Sequence, residues 1–341
     1  MQTRRETKPE TTPQGTTCSD HPDVVQVVPL AELGILAVEG SDAETLLHGQ
    51  TTCDVRRLLP GDHTLGAVCT AKGRAVAVFH LLKAGDERFL LLLPHSLVDP
   101  LRKRLQLFVL RSKVTITDET NRYSRYGLIG PNLEALEDWV RRYRDGEVVT
   151  LTLPATSGSR VLVIARGDGE AFWNQCLTEE CIPAPEERWK LEDIRMGVPL
   201  FPAELSEEFV PQMLNLELLG GISFTKGCYT GQEIVARAQY LGQIKRRLYR
   251  FRLHSDTLPL ASAPIFREGQ GQPVGKVVCI ASAGGSAYEL LAVGETEGMT
   301  SGALRFGAPE GPLLVLLPLP HTDYSYGRMT SARNEENHQV R

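Results

Sequence analysis

The chain has 341 residues, about twice the usual length of one domain, so two or three domains with substantial cores are expected. Hydrophobic residues make up 42% of it and charged residues 23%, which excludes a largely disordered or collagen-like protein. The 37 basic and 42 acidic side chains leave a net charge of −5, too near neutral to bind nucleic acid or an anionic membrane by overall charge alone.

The seven cysteines are odd in number and scattered, and no two form a Cys-x-x-Cys pair. This pattern predicts neither a disulfide framework nor a four-thiolate zinc site, and it favours a reducing compartment such as the cytoplasm. No apolar run reaches the ~20 residues of a membrane span, so we expect no membrane partner. Residues 1–23 lack the apolar core of a signal peptide and are predicted to be a disordered tail, and residues 322–341 a flexible one.

Short strands and helices alternate in the N-terminal region. Valine-rich runs predict a strand near 24–28, paired with a second strand at 34–38. A capping box formed by Ser41 and Glu44 predicts a short helix that carries His48 and Gln50 towards a loop at 51–54. Strands at 66–70 and 75–82 flank a glycine turn and predict a hairpin, and a strand at 89–93 and a helix opening at Ser96 follow.

A similar layout restarts at Tyr126, with a strand at 127–129, an apolar helix through 133–140 and strands near 148–153 and 161–164. We therefore expect two half-domains, at about 24–125 and 126–244. From 245 to 321 the pattern changes to short alternating strands between Gly, Pro and Ser clusters, at 248–253, 273–280, 288–293 and 313–317. This pattern is typical of a small β-barrel or sandwich, and the whole chain is predicted to be α+β.

The most informative segment surrounds Cys228. Thr230 and Glu233 form a second capping box, which predicts a helix from Gly231 and places Cys228 just before its N-terminus. The helix dipole and the nearby Lys226 would favour a thiolate there, and hence a reactive cysteine. The alternative is an inert cysteine packed at the entry of a helix. The glycines of this segment also suit an anion cradle, although neither the P-loop nor the dinucleotide spacing is present.

Two candidates for ligand recognition, Arg195 and Trp189, precede the Cys228 segment in the sequence. Arg195 precedes a Gly-Val-Pro turn, where its guanidinium suits bidentate recognition of a carboxylate, or a structural salt bridge. The indole of Trp189 suits stacking on a flat heterocycle, or simple packing in the core.

Residues 226–233, Lys-Gly-Cys-Tyr-Thr-Gly-Gln-Glu, followed by Ala236 and Arg237, resemble the signature of the YgfZ family. These are folate-binding proteins related to the T-protein (aminomethyltransferase) of the glycine cleavage system. The segments 209–216, 220–224, 241–242 and 245–247 resemble the family too, as do 49–55 and 72–74. The resemblance thus extends from about Val28 to about Leu317.

The resemblance implies a two-part N-terminal region of mixed strands and helices around a central folate pocket, followed by an antiparallel β-barrel. It implies binding of tetrahydrofolate or a one-carbon derivative, and support for the assembly or repair of iron–sulfur enzymes, including those that modify tRNA. Iron–sulfur client proteins or assembly factors would be the partners. Cys228 would be the functional thiol, with Lys226 beside it. The residues carried over to the folate site are Trp189, Arg195, Gln50, Tyr229, Gly231, Gln232 and Glu233.

The sequence departs from the relatives at two places, Leu33 and the pair Val76 and Ala77. Leu33 stands where some family members carry tryptophan, which puts one aromatic wall of the pocket in doubt. Val76 and Ala77 stand where the aminomethyltransferases carry an Asp pair that acts near the folate nitrogen. Without a carboxylate there, a folate-dependent one-carbon transfer of the aminomethyl type lacks its evident general acid or base, and it becomes the second hypothesis.

A third hypothesis is direct binding of tRNA. Six basic residues concentrate near the start of the predicted barrel, with Tyr249 and Phe251 on the opposite face of one strand: Arg237, Lys245, Arg246, Arg247, Arg250 and Arg252. A solvated charged strand is the alternative, since the aromatic residues alternate away from Arg250 and Arg252. The loop residues Gln50, Asp54, Lys72 and Arg74 either line the pocket or pin loops by hydrogen bonding.

Overall fold

The computed structural model describes residues 24–130, 140, 148–156, 159–240 and 244–320. They form two five-stranded sheets and a closed six-stranded barrel, so the predicted α+β architecture is confirmed. The predicted tails and most of the apolar helix predicted through 133–140 lie outside the described residues. No helix in the described ranges is long and apolar enough to cross a membrane.

The first sheet has the strand order β3-β4-β5-β2-β6, and every pairing in it is antiparallel. Its central strands are continuous apolar runs because both faces of this sheet are covered. The predicted hairpin is confirmed, with β3 and β4 joined by the glycine turn. The strands are β2 (Leu33–Glu39), β3 (His63–Cys69), β4 (Ala75–Gly85), β5 (Arg88–Pro94) and β6 (Thr115–Asp118).

The second sheet has the strand order β10-β1-β7-β9-β8. Its first strand in sequence, β1, pairs with β7 and β10, so the predicted pairing between the runs near 24–28 and 34–38 is wrong. The turn between these two runs carries the chain from one sheet to the other. The strands are β1 (Gln26–Pro29), β7 (Tyr123–Gly130), β8 (Val148–Leu153), β9 (Ser159–Arg166) and β10 (Ile182–Pro183).

The third body is a closed barrel of order β11-β14-β13-β12-β15-β16, in which β16 pairs back onto β11. The sequence predicts four of its strands but misses β12 and β15, because three or four residues are too few to show an alternation. Phe251 is fully buried inside the barrel, as its place in the alternation predicts. The strands are β11 (Arg246–His254), β12 (Pro264–Arg267), β13 (Pro273–Gly284), β14 (Ala287–Glu295), β15 (Leu304–Phe306) and β16 (Leu313–Leu317).

Six helices and several 3₁₀ turns connect these bodies within the described ranges. The helices are α1 (Ala43–Gln50), α2 (Val98–Gln106), α3 (Glu170–Thr178), α4 (Glu186–Arg195), α5 (Gln232–Tyr240) and α6 (Thr296–Thr300). The 3₁₀ turns are Val55–Arg57, His95–Leu97, Thr120–Arg122, Ala203–Leu205 and Pro211–Leu214.

The first predicted capping box is wrong. Helix α1 is preceded by Asp42, whose side chain makes no capping hydrogen bond and instead accepts one from the backbone N–H of Lys113 at 2.7 Å. The carboxylate of Glu44 pairs with Lys83 at 3.1 Å. Both acidic side chains at the start of this helix therefore bind residues of other elements instead of capping the helix.

Apolar side chains of both sheets pack together into one core that includes Trp189 of α4. A second core fills the other face of the first sheet, under α1, α2 and the segment 201–222. Helix α4 also contacts β13 and β14 of the barrel. It therefore lies where the two sheets and the barrel meet, and this position determines what its side chains can do.

Candidate functional site

A cavity of about 300 Å³ lies at the meeting point of the two sheets, α4 and the barrel. Five residues of α4 line it, at the spacing i, i+3, i+4, i+7 and i+8 that places side chains on one helix face: Glu186, Trp189, Lys190, Asp193 and Ile194. Leu33 and His80 contribute from the first sheet, Leu162 from the second, and Cys279 from the barrel. The cavity is mostly apolar with a few polar groups, which is typical of a small-molecule site.

Trp189 forms one wall of the cavity and is only 5% exposed. The guanidinium of Arg160 lies 4.7 Å from its ring centre, a cation–π contact. The indole also packs over Gly127, where any β-carbon would overlap with the ring. These contacts hold the ring in one orientation, in which it lines the cavity.

Asp193 is the acidic group of the cavity that pairs with Arg160; Glu32 and Glu186 also line the cavity. Oδ1 of Asp193 lies 2.8 Å from Nη1 of Arg160, an ion pair between two buried groups, but without the alignment of a hydrogen bond. Burial raises the pKa of Asp193, and Arg160 partly opposes that effect. Oδ1 of Asp193 is buried against the Arg160 guanidinium.

Two other titratable groups in the cavity are neutral near pH 7. Burial lowers the pKa of His80 to about 3, so its imidazole carries no charge. Burial raises the pKa of Cys279 to about 12, so its sulfur is a protonated thiol. The cavity therefore presents neutral imidazole and thiol groups beside the Asp193–Arg160 pair.

The sequence analysis missed Asp193, His80 and Arg160. A signal for Asp193 was present, because Glu186, Trp189, Lys190 and Asp193 share the helical spacing of one face. His80 is the one strongly polar residue within the apolar part of β4, from Ala75 to Leu82. Nothing local marks Arg160, which reaches Trp189 and Asp193 only through the pairing of the second sheet. Leu33 does lie in the cavity wall, as the comparison with tryptophan-bearing relatives suggests.

Arg195 points away from this cavity, towards the barrel. Its guanidinium lies 3.4 Å from Glu192 and 3.5 Å from Glu289, and it is not among the residues that line the cavity in the described ranges. The structural salt bridge, one of its two sequence interpretations, is what the structure shows. Its predicted contact with folate stays a prediction.

The segment 226–230 lies against the end of α1. The thiol of Cys228 is exposed. Lys226 is buried beneath it, and its ammonium donates hydrogen bonds to the carbonyl oxygens of His48, Thr51 and Cys53 at 2.6–2.7 Å. Burial lowers the pKa of Lys226 to about 8. All three N–H donors of the ammonium have partners, so this geometry gives Lys226 a part in positioning the loop. A direct part in chemistry stays a prediction.

The remaining residues of the motif fix the same loop. The Thr230 hydroxyl donates to Oε1 of Gln50 at 3.0 Å, and its backbone N–H bonds to Gly49 at 3.2 Å. Gly231 has a φ of +85°, and a side chain there would collide with the carbonyl of Thr70 in the β3–β4 turn. Helix α5 begins at Gln232, one residue after the predicted start. The 49–54 and 226–233 motifs thus form one packed unit.

Of the other predicted residues of this region, Tyr229 is buried and Glu233 is exposed. Tyr229 is buried under the cation of Lys226, 5.1 Å from its ring centre, and burial raises its pKa. Glu233 is exposed, and Gln232 donates to the carbonyl of Gly227 at 3.5 Å. Within the described residues, none of the motif residues 226–233 lines the cavity. Trp189 thus lines the cavity, whereas the exposed thiol of Cys228 lies outside its lining, and the predicted folate contacts of the motif residues stay a prediction.

The basic strand of the barrel is largely paired with carboxylates. Glu289, fully buried on β14, lies 2.5 Å from Arg250 and 3.6 Å from Arg252. Arg246 pairs with Glu295 at 3.3 Å, and Arg247 pairs with Glu217. Four of the six basic residues considered for RNA binding are thus engaged within the protein, which favours the charged-strand interpretation.

Comparison with known proteins decides the family. The chain is 35% identical over 248 residues to the tRNA-modifying protein YgfZ of Colwellia psychrerythraea, covering 69% of this chain and 75% of that one. The chain belongs to the YgfZ family. A YgfZ protein of Escherichia coli is 31% identical over 68% of this chain and 73% of its own, and one of Photorhabdus laumondii is 27% identical over 87% and 92%. No protein-family profile matches the chain.

The fold of this YgfZ-family chain is shared with a glycine cleavage enzyme. The crystal structure of aminomethyltransferase T from Bartonella henselae superposes with a TM-score of 0.64, at 13% identity, over 88% of this chain and 86% of that one. The resemblance to the T-protein expected from the sequence is confirmed at the level of the fold. At this identity the likeness concerns architecture only.

Proposed function

We propose that this YgfZ-family protein binds tetrahydrofolate, or a one-carbon derivative, in the cavity beside Trp189. We further propose that it acts as an accessory protein for iron–sulfur enzymes, including those that modify tRNA, with Cys228 as its functional thiol. The observation that carries the folate part is the single face of α4 that presents Trp189 and Asp193 to the cavity. The name of the relatives from Colwellia psychrerythraea and Escherichia coli, tRNA-modifying protein, supports the link to tRNA.

The cavity residues fit the chemistry of a folate. The indole of Trp189 offers a flat surface for a bicyclic ring, and the carboxyl group of Asp193 at the cavity wall suits the N–H donors at the edge of that ring. Lys190 is the cation at the cavity wall; its ammonium pairs with Glu32 at 3.0 Å and with Glu187 at 3.1 Å, and a carboxylate of the glutamate tail would replace one of these partners. When bound, the folate would supply one-carbon chemistry, and these residues would hold and orient it.

Calorimetric titration of the anaerobic protein with tetrahydrofolate tests this part. Trp189→Ala should weaken binding about 5- to 150-fold, since stacking on an aromatic ring contributes about 1–3 kcal/mol. Trp173→Ala is the matched control, because Trp173 packs on α3 against the outer face of the second sheet. Equal losses in the two variants, or no binding by the unmodified protein, would refute the folate site.

The accessory role needs a separate measurement. In a bacterium lacking its own YgfZ-family protein, mass spectrometry would quantify the tRNA nucleosides whose synthesis depends on iron–sulfur enzymes. The unmodified chain should restore them, and Cys228→Ser should not. Because Cys228 is exposed, its substitution should leave the thermal melting temperature unchanged, and that measurement is the control. Full restoration by Cys228→Ser would exclude the thiol as the functional group.

A second candidate function is folate-dependent one-carbon transfer, and one observation favours it. Val76 and Ala77 are buried apolar residues of β4, so no carboxylate replaces the missing Asp pair there. However, Asp193 supplies a carboxyl group from α4, and its raised pKa suits proton transfer. Consumption of methylene-tetrahydrofolate that is lost in Asp193→Asn would support the transferase. Binding without consumption would support the accessory role.

A further inference from the structure

Two cysteines at the end of α3 occupy positions that the backbone brings together. Just beyond the helix, Glu180 has a φ of +59°, in the left-handed region. Its backbone N–H donates to the carbonyl oxygen of Leu177 at 3.2 Å, and the N–H of Cys181 donates to that of Cys176 at 2.9 Å. These two bonds define a Schellman motif, whose two outer side chains usually contact each other. Here both of those side chains are cysteines.

The two sulfur atoms lie in contact within one core. Cys176 and Cys181 belong to the same apolar cluster between α3 and the second sheet, and both are free thiols. The thiols hydrogen-bond to each other, which raises the pKa of Cys176 and lowers that of Cys181. A disulfide requires a sulfur–sulfur separation of about 2 Å and closely spaced α-carbons. Because the backbone bond already joins the two residues and their thiols touch, a small side-chain movement is enough to meet this requirement.

The two thiols differ in their access to solvent. Cys176 lies on the inner face of α3 and has no exposed surface, whereas Cys181 is 8% exposed. A small oxidant therefore reaches Cys181 first. The lowered pKa of Cys181 also favours its thiolate, the form that attacks a disulfide. Cys176 lies beneath it, in the position of a second thiol that completes the reaction.

We propose that Cys176 and Cys181 form a redox-active dithiol site, which a small disulfide such as oxidised glutathione converts to an intramolecular disulfide. The thiolate of Cys181 attacks one sulfur of oxidised glutathione, whose S–S bond breaks, and a glutathione thiolate leaves. The thiolate of Cys176 then attacks the sulfur of Cys181, and the second glutathione leaves as a thiolate. The protein loses two electrons and two protons, and one oxidised glutathione becomes two reduced molecules.

The bond would tie the end of α3 to the strand that leads into α4. Cys181 directly precedes β10, which pairs in parallel with β1. Helix α4 begins soon after, at Glu186, the first of its residues in the cavity wall. Because the bond closes across a motif that is already hydrogen-bonded, the fold of this junction should be kept. The dithiol site is separate from the cavity and from Cys228, so it does not rest on the proposed function.

Equilibration of the unmodified protein with mixtures of reduced and oxidised glutathione tests the site. After acid quenching and alkylation, trypsin cleaves at Arg166 and Arg188 and releases peptide 167–188, which holds both cysteines and no other. Its disulfide form is lighter by two hydrogen atoms and takes up no alkylating reagent. The equilibrium constant for disulfide formation should be at least about tenfold larger in the native protein than in urea, a potential about 30 mV more negative. An equal or smaller constant in the native protein would overturn the proposal.

Two single variants test the order of attack. Cys176→Ala should stop at the mixed disulfide between Cys181 and glutathione, because the second thiol is missing. Cys181→Ala should leave Cys176 as a thiol, because no oxidant reaches it directly. Cys53 is the internal control in every sample, since its buried sulfur contacts the Thr51 hydroxyl at 3.6 Å and should stay reduced. Equal modification by glutathione in the two variants would contradict the assigned order, and the comparison with urea holds even where a variant does not fold.

Discussion

Trp189 of α4 lies so close over Gly127 of β7 that a β-carbon at position 127 would overlap with Cε3 and Cζ3 of the indole. The indole requires glycine at this position, because any side chain would overlap with it. The backbone conformation does not require glycine, because Gly127 is an ordinary residue of an antiparallel strand. Strand β7 of the second sheet therefore determines the position of the indole in the cavity wall. Adding a single methyl group at position 127 tests this contact.

Gly127→Ala should push the indole towards the cavity. Overpacking of this kind costs about 1–3 kcal/mol in the free energy of unfolding, which urea denaturation would measure. The displaced ring should also weaken tetrahydrofolate binding in calorimetry. Gly271→Ala is the matched control, since a β-carbon there meets open space. Unchanged stability and binding in Gly127→Ala would show that the ring is not held as described.

Glu289 should be one of the strongest electrostatic determinants of stability. It is fully buried and meets Arg195, Arg250 and Arg252, so Glu289→Gln leaves partly buried guanidiniums without their carboxylate. Breaking a buried ion pair in this way costs about 3–5 kcal/mol, measured by urea denaturation.

Glu295→Gln is the matched control for Glu289. It lies on the same strand, β14, and also pairs with an arginine of β11, but both partners are more than half exposed. We expect a change below about 1 kcal/mol there, as for surface ion pairs in general. Similar losses in the two variants would contradict the role assigned to Glu289.

Lys226→Met should destabilise the Cys228 loop more than any exposed lysine substitution. Methionine fills a similar volume but leaves the carbonyls of His48, Thr51 and Cys53 without their donor. Each unsatisfied buried acceptor costs about 1–3 kcal/mol, so we expect a total loss of a few kcal/mol in urea denaturation. Lys72→Met, at the exposed β3–β4 turn, is the control and should be nearly neutral. A stable Lys226→Met protein that lost only Cys228 chemistry would instead restore the catalytic interpretation of Lys226.

The local patterns of the sequence predict strands and motifs well, because those patterns record burial. The alternation in β11 places Phe251 inside the barrel, and the hairpin around the glycine turn forms as expected. The switch of β1 into the second sheet is different, since its valine run would suit either sheet. Pairing partners are decided by the whole topology and not by the strand's own residues.

The candidate site shows the same difference between local patterns, which the sequence reveals, and contacts between distant segments, which it does not. The motif around Cys228 identifies a real structural unit, but the sequence does not show where this unit lies relative to the cavity at Trp189, which none of the described residues 226–233 lines. Arg195 looks like a carboxylate binder because of its turn, while its partners Glu192 and Glu289 come from α4 and from the barrel. Contacts between distant segments assign such roles, and only a three-dimensional structure shows them.

His80 should make the stability of the protein depend on pH. Its folded pKa is about 3, below the 6.5 of an unfolded histidine, because burial disfavours the charged imidazole. Between these values the unfolded chain binds a proton that the folded chain does not, so His80 lowers stability as pH falls from about 6.5 towards 3. The slope from this one group approaches about 1.4 kcal/mol per pH unit. Urea midpoints measured from about pH 7.5 to pH 5 should therefore fall more steeply in the unmodified protein than in His80→Gln, which cannot titrate. Parallel curves would show that the imidazole at the cavity wall is open to water and free to take up its proton.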